Sequence, residues 1–179
     1  MSKPASGLFH GTKGDLAFRG DAESLIASRV SGLDLNEHPT SQRQLSTKQR
    51  RSLAQKVRHR TATREEYRRY MWDKRFAKRR KSGVKLFWKQ ERNRLERGEK
   101  GTRNWNAEQR LAILSGKTPR YNGRPMEAHH TYSVARFPHL ANRGEVIYPA
   151  THLEHRMGWH GGSYMKNRPG RRIRQINEF

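Results

Sequence analysis

Six of the nine histidines in this 179-residue chain fall between Glu127 and His160. They are His129, His130, His139, His152, His155 and His160. Imidazole binds divalent metals and titrates near neutral pH, so this cluster predicts a metal site, a general base, or both. An adjacent pair followed by histidines at near-helical spacing is expected where one metal ion lies between a strand and a helix. The chain has no cysteine, which leaves histidine, carboxylate and amide ligands.

The charge of the chain indicates a polyanionic partner. There are 39 Lys and Arg residues against 16 Asp and Glu, a formal net charge of +23. Nucleic acid is favoured, because each neutralised phosphate releases condensed counterions and adds sequence-independent affinity. An anionic membrane surface is the second choice, since the basic segments have no broad apolar face and no transmembrane run is present. We therefore expect no membrane anchor, and the first 16 residues predict no standard secretory signal.

Three regions differ in composition. Residues 1–42 are mixed, with one possible short helix near Asp21, and are interpreted as a linker or docking segment whose order the sequence leaves open. Residues 43–103 are strongly basic and helical, and are predicted to bind nucleic acid. Residues 104–179 hold the histidine cluster and are predicted to contain the metal site or general base. The expected fold class is α+β, mostly helical, with a small metal-binding motif at the C-terminal end.

Helix signals are clearest in the basic region. Ser46 is predicted to cap one helix, and Thr63 with Glu66 forms a capping box that opens a second. We expect the second helix to break or kink at Ser82-Gly83. Its apolar side chains follow a narrow helical stripe, and we expect them to pack on the neighbouring domain rather than stack on bases. The stripe consists of Trp72, Phe76, Val84, Phe87, Trp88 and Leu95.

The basic face of the same helix has too few acidic partners to be neutralised within the helix, so phosphate contact is predicted for it. The residues selected there as substrate-binding are Lys78, Arg79 and Arg80. Four arginines closer to the histidines are further candidates for clamping a phosphate, and the sequence does not choose among them. They are Arg124, Arg136, Arg143 and Arg156.

Turn and strand signals surround the histidine pair. A third helix is capped by Asn106, and Asn122-Gly123 predicts a two-residue hairpin turn. His129 and His130 then fall at the end of a strand or just after it. A second strand is predicted over 146–148, followed by a short helix that begins at a capping box and that Gly158 ends.

These residues carry a resemblance. The segments EAHHTYSV, VIYPAT and LEHRMGWHGG resemble the HNH, or His-Me finger, nucleases, and more narrowly the GHH-type nuclease domains at the C-terminal ends of bacterial polymorphic toxins. The resemblance covers roughly Asn104 to Asn177. It implies a ββα-metal motif in which a hairpin and a helix hold one divalent cation, with Mg, Zn, Ni and Mn as the candidates.

The resemblance also implies residue roles. Both members of the pair belong to the catalytic site, with His129 as a metal ligand and His130 as the general base. His155 and His160 are implied as the further ligands. The asparagine that orients the base in such enzymes is replaced, since Val146 stands at the matching position, with Glu145 and Asn142 nearby.

The spacing of the helix ligands is a second departure, because His155 and His160 are five residues apart and metal-binding helices prefer three or four. Either His160 lies just past the helix end or the helical pair is His152 and His155. We otherwise expect His152 on the surface and His139 to be structural or exposed. The remaining histidines are interpreted as surface residues, namely His10, His38 and His59.

The predicted function is a metal-dependent endonuclease, with double-stranded DNA favoured over RNA and little sequence preference. The resemblance implies an antibacterial toxin effector, exported by a dedicated secretion system or within a larger toxin, that acts in the target-cell cytoplasm. An acidic immunity protein is the expected partner. Two alternatives stay open: a noncatalytic nucleic-acid-binding protein of ribosomal or packaging type, and a phage or mobile-element HNH endonuclease.

Overall fold

The computed structural model describes residues 21–179, so what the sequence predicts for residues 1–20 lies outside the described part. The fold is α+β and mostly helical, as predicted. The helices are α1 (Asp21–Val30), α2 (Thr47–Arg58), α3 (Arg64–Glu96) and α4 (Ala107–Leu114). The strands are β1 (Arg120–Tyr121), β2 (Arg124–Pro125), β3 (Glu127–His130) and β4 (Ile147–Ala150), with a 3-10 turn at Pro138–Leu140 and a π-helix at Glu154–Trp159. None of the described helices combines the length and apolar composition needed to cross a membrane.

Helices α2, α3 and α4 begin at the predicted caps. Each start is a capping box, in which the cap side chain accepts a hydrogen bond from the backbone N–H three residues on. The side chain of that later residue in turn accepts from the backbone N–H of the cap. The pairs are Ser46 with Gln49, Thr63 with Glu66, and Asn106 with Gln109.

Helix α3 runs for 33 residues without interruption, so the predicted break at Ser82-Gly83 is wrong. Ser82 is accommodated inside the helix, because its Oγ donates to the carbonyl of Lys78, four residues earlier, at 3.0 Å. Gly83 is buried, and a Cβ built there would lie 2.6 Å from the carbonyl oxygen of Ala141. The glycine is therefore explained by the close approach of a loop to the helix.

The apolar stripe of α3 packs into the protein, as expected. Phe87 is fully buried in the main core, and Leu95 belongs to a second cluster with Trp105. Trp72 stacks on buried Phe76 with ring centroids 5.0 Å apart. The main core also receives three side chains of α1, which therefore packs against the rest of the fold: Ala22, Ile26 and Val30.

Two buried carboxylates fasten other segments to α3. Asp73 accepts hydrogen bonds from the backbone N–H of Leu45 and from Arg50 Nε, both at 2.8 Å. Glu91 has no exposed surface and accepts from Thr102 Oγ1 and Trp105 Nε1, each at 2.6 Å. Buried charges are stable only when bonded in this way, so α3 holds the chain that precedes α2 and the chain that precedes α4.

The strands form two separate antiparallel pairs. β1 pairs with β2 around Asn122-Gly123, whose positive φ angles of 47° and 75° are those of the predicted hairpin turn. β3 pairs with β4, and the register places His129 opposite Tyr148 and His130 opposite Ile147. The histidine pair thus occupies the end of a strand, but its partner strand is β4 rather than the Asn-Gly hairpin.

The helix after β4 begins at the predicted capping box, where Thr151 Oγ1 accepts from the backbone N–H of Glu154 at 3.1 Å. The predicted end at Gly158 is wrong, because the helix continues to Trp159 as a π-helix. Gly161 and Gly162 end it, with φ angles of 57° and 92°. Glu154 is also paired with buried Arg103, whose Nη2 lies 2.8 Å from Glu154 Oε1, so the start of this helix is anchored in the interior.

Candidate active site

Three histidines from two elements meet at the end of the β3–β4 sheet. His129 comes from β3, whereas His155 and His160 come from the π-helix and the residue that follows it. The ring centroids are 4.8 to 4.9 Å apart in each pair, and one nitrogen of each ring lies within 4.8 Å of the other two. Three imidazoles facing one another in this way form a candidate site for one divalent cation.

The π-helix accounts for the spacing of five between His155 and His160. In an α-helix, residues five apart point about 140° away from each other. The π-helix replaces the i to i+4 bond by an i to i+5 bond, and here the backbone N–H of His160 donates to the carbonyl of His155 at 3.2 Å. The two rings therefore share a face, with centroids 4.9 Å apart.

The hydrogen bonds of His155 and His160 use Nδ1 in both rings. His155 Nδ1 donates to the carboxylate of Glu127, and His160 Nδ1 donates to the backbone carbonyl of Lys166 at 2.7 Å. A carboxylate or carbonyl that takes one ring N–H leaves Nε2 as the lone-pair nitrogen, which is the arrangement that orients histidine ligands around a metal.

The Nε2 atom of His129 is the strongest indication of a metal ligand in this cluster. Its side chain is almost completely buried, and its Nε2 atom is buried without a hydrogen-bond partner among the described residues. Burial, and then His155 and His160, lower the pKa of His129 well below its usual 6.5, so the ring stays neutral with a lone pair available. A divalent cation would satisfy this buried nitrogen, and the residues present therefore fit one.

His130 follows His129 along the strand and points to the opposite face, as successive strand residues do. Its Nε2 donates to the backbone carbonyl of Ala141 at 3.0 Å. Because a carbonyl can only accept, Nε2 carries the hydrogen and Nδ1 carries the lone pair. Burial, with a smaller contribution from the Arg80 guanidinium, lowers the pKa of His130 to about 4, so its Nδ1 is free to accept a proton at neutral pH.

The group that orients His130 is thus a backbone atom, not one of the three side chains considered from the sequence. Val146 is buried and uses its carbonyl to accept from Thr131. Glu145 accepts from Gln90 of α3 at 2.9 Å, and the Asn142 side chain accepts from an arginine of α3. No pattern of residue types could have indicated a main-chain carbonyl.

A cleft of about 380 Å³ opens over these histidines. Arg80 of α3 lies on its wall, with Nη1 donating to Gln44 at 3.0 Å and Nε buried without an acceptor among the described residues. Burial lowers the pKa of the Arg80 guanidinium. The other lining residues are of mixed polarity, with Ser133, Tyr164 and Asn167 beside Ala128, Val134 and Met165.

The other cations proposed from the sequence do not line this cleft. Arg136 forms an ion pair with Glu37, and Arg79 donates to the carbonyl of His139 and to Asn142. Three more are exposed elsewhere on the surface, namely Lys78, Arg143 and Arg156. Arg124 lies in β2 and lines a different cleft, which also contains His152.

His152 stays outside the three-histidine cluster. Its Nδ1 lies 2.8 Å from the same Glu127 carboxylate that receives His155 Nδ1. Glu127 therefore contacts both His152 and His155, which the sequence offered as the alternative pair of ligands. The nitrogens that converge with His129 are those of His155 and His160.

Residues 71–151 match the sequence model of a family described as GHH signature containing HNH/Endo VII superfamily nuclease toxin. The match confirms the resemblance, and it begins earlier in the chain than the resemblance did, within α3. It contains His129 and His130 and ends at Thr151, before the two helix histidines. Nucleases of this superfamily use a divalent metal, which the histidine cluster fits. No curated protein and no solved structure gave a significant match to the chain.

Proposed function

We propose that this protein is a metal-dependent endonuclease that hydrolyses phosphodiester bonds of nucleic acid. The observation that carries this function is the convergence of His129, His155 and His160 next to a partly buried, neutral His130 whose Nδ1 holds a lone pair. In the proposed site the three clustered histidines hold one divalent cation. His130 is the general base.

Each residue of the proposed site has a separate role in the reaction. His130 Nδ1 takes a proton from the attacking water, and the Ala141 carbonyl holds the ring in the productive tautomer. Arg80, which lines the cleft, binds a phosphate oxygen through its guanidinium group. A divalent cation held by His129, His155 and His160 would supply Lewis-acid stabilisation of the negative charge that develops during the reaction. The P–O3′ bond breaks, the leaving 3′ oxygen takes a proton from solvent, and the products are a 3′ hydroxyl and a 5′ phosphate.

Double-stranded DNA, cut with little sequence preference, is the proposed substrate. Support comes from the net charge of +23 and from exposed cations on α3, which runs from the cleft toward α2. Contacts to phosphates carry no sequence information, so the expected cleavage pattern is nonspecific. RNA is the competing substrate that the assay below separates.

The proposed biological role is that of an antibacterial toxin effector. The matched family is one of nuclease toxins, and a strongly basic nuclease calls for an acidic immunity protein in the cell that makes it. Delivery by a dedicated secretion system, or as part of a larger toxin, into the target-cell cytoplasm completes the proposal. Bacterial growth should stop when the wild-type protein is expressed and continue when His130→Ala is expressed at the same level.

The decisive experiment incubates the purified protein with supercoiled plasmid and, separately, with total RNA. EDTA should stop cleavage, and Mg²⁺, Mn²⁺, Ni²⁺ or Zn²⁺ added back one at a time should restore it. His130→Ala serves as the control for contaminating nucleases. Binding without cleavage under every metal condition would refute the proposed function in favour of a noncatalytic nucleic-acid-binding protein. Cleavage at one preferred sequence would favour a mobile-element endonuclease.

A further inference from the structure

A second cluster of metal-ligating side chains lies where residues 34–40 run beside the loop that follows the histidine pair. The backbone N–H of His38 donates to the carbonyl of Arg136 at 2.9 Å, and that of Thr40 donates to Ala135 at 3.2 Å. Glu37 and Arg136 form an ion pair across the same contact. The segment lies before the family match, which begins at residue 71.

Three side chains converge at this contact. His38 Nε2 is 2.8 Å from the carboxylate of Asp34, and the His38 and His139 rings meet edge to face with centroids 4.7 Å apart. One ligand atom from each of the three residues lies within 4.8 Å of the other two. Asp34 is itself held in place, because its Oδ1 accepts from the backbone and side-chain nitrogens of Asn36 at 2.9 and 2.8 Å.

His139 supplies the observation that points to a ligand. Its Nε2 donates to the backbone carbonyl of Asp34 at 2.8 Å, which leaves the lone pair on Nδ1. That Nδ1 atom is buried and has no hydrogen-bond partner among the described residues. A desolvated acceptor without a partner is costly, and a cation between the three side chains would remove that cost.

We propose that Asp34, His38 and His139 form a second divalent-metal site, separate from the catalytic cleft. Two imidazoles and one carboxylate are a donor set that suits Zn²⁺ or Ni²⁺ better than Mg²⁺. Asp34 and His38 are about half exposed, so an ion reaches the site from solvent and water completes its coordination. This site does not depend on the proposed nuclease activity.

An ion at the second site would stabilise the loop that contains Ala141. His139 belongs to the 3-10 turn Pro138–Leu140, which is followed directly by Ala141, whose carbonyl holds His130. An ion bound by Asp34, His38 and His139 would tie the chain before α2 to this turn. Its role is structural, fixing the loop that carries the acceptor for the general base.

Zn²⁺ titration by isothermal calorimetry tests the assignment. Wild-type protein should bind two ions, and His38→Ala or Asp34→Asn should lose one of them or bind it at least about 10 to 100 times more weakly. Asn at position 34 retains an oxygen that can accept from Asn36, so this variant keeps the turn and removes only the charged ligand. His59→Ala, an exposed histidine outside both clusters, is the matched control and should still bind two.

Two further variants separate this site from the catalytic one. His160→Ala should also bind one ion, and the double variant with His38→Ala should bind none, with far-UV circular dichroism checking that each variant folds. If His38→Ala and Asp34→Asn both bind as many ions as wild type, the second site does not exist. Loss of an ion in His38→Ala but not in His160→Ala would leave the second site standing and overturn the proposed catalytic ligands.

Discussion

Substituting Gly83 by alanine should impair His130, the proposed general base, by displacing the loop whose Ala141 carbonyl accepts its hydrogen bond. The added Cβ would lie 2.6 Å from the Ala141 oxygen and 3.3 Å from two backbone atoms of Asn142. Real Cβ contacts essentially never fall below 3.0 Å, so the two backbones must separate by at least about 0.4 Å. The loop is the element that should move, because α3 is continuous and anchored by buried Phe87.

The displacement acts on the bond that orients His130. Ala141 is its acceptor at 3.0 Å, so a shifted carbonyl turns the imidazole or releases it. General-base catalysis contributes about 10² to 10⁴ in rate, and a misplacement of about 1 Å can cost about 10². For a shift of half that size we expect a fall of about 10-fold or more in the cleavage rate at saturating metal and substrate.

Stability and metal binding provide the internal checks. Alanine is favoured over glycine in a helix by about 0.5 to 1 kcal/mol, but overpacking costs about 1 to 3 kcal/mol, so unfolding in urea should show a modest net loss. The affinity of the three-histidine site should stay unchanged, since Gly83 contacts none of those histidines. Gly32→Ala is the matched control, because nothing lies within 4 Å of its Cβ position. A Gly83→Ala protein that cleaves plasmid within twofold of wild type would refute this account of how the base is oriented.

Three other variants test His130, Glu127 and the exposed cations of α3. His130→Ala should lower plasmid cleavage by about 10² to 10⁴ while calorimetry finds metal binding intact, and a variant that keeps more than about a tenth of wild-type activity would exclude His130 as the base. Glu127→Gln removes the charge that orients His155, so metal affinity should fall by about 10 to 100 times; unchanged affinity would mean that this carboxylate has no part in the site. Lys74 and Lys78 are both exposed on α3, and replacing both by Gln should flatten the salt dependence of DNA binding. The expected change is about 0.9 in log–log slope for each duplex phosphate that the helix no longer neutralises, and an equal slope in filter binding would place the nucleic acid elsewhere.

Local sequence signals predict the elements of this fold well where side chains bond to nearby backbone. Ser46, Thr63 and Asn106 each satisfy the free N–H groups of a helix start, and Asn122-Gly123 adopts the positive φ angles that its turn requires. These interactions span three residues or fewer, so the pattern of residue types contains them in full. The histidine pair is likewise recognisable from its own residue types and spacing.

The errors arise where a distant segment decides the outcome. Gly83 suggests a helix break if only its neighbours along the chain are considered, but its role is set by Ala141, which is 58 residues away. The five-residue spacing of His155 and His160 is unsuitable for a metal site only in an α-helix, whereas the chain forms a π-helix there. The Ala141 carbonyl could not be predicted at all, since every residue carries one.

Under the proposed contact between α3 and DNA, the unbroken course of α3 sets the length of duplex that the protein contacts. At about 1.5 Å per residue, the helix between its start at Arg64 and Arg80 at the cleft is about 24 Å long. A duplex lying along this stretch would be spanned over about seven base pairs, at about 3.4 Å per step. Because the helix is not interrupted at Ser82-Gly83, the distance between its start and the cleft would be constant. Duplexes that extend fewer than about seven base pairs from the cut would then bind more weakly with each base pair removed.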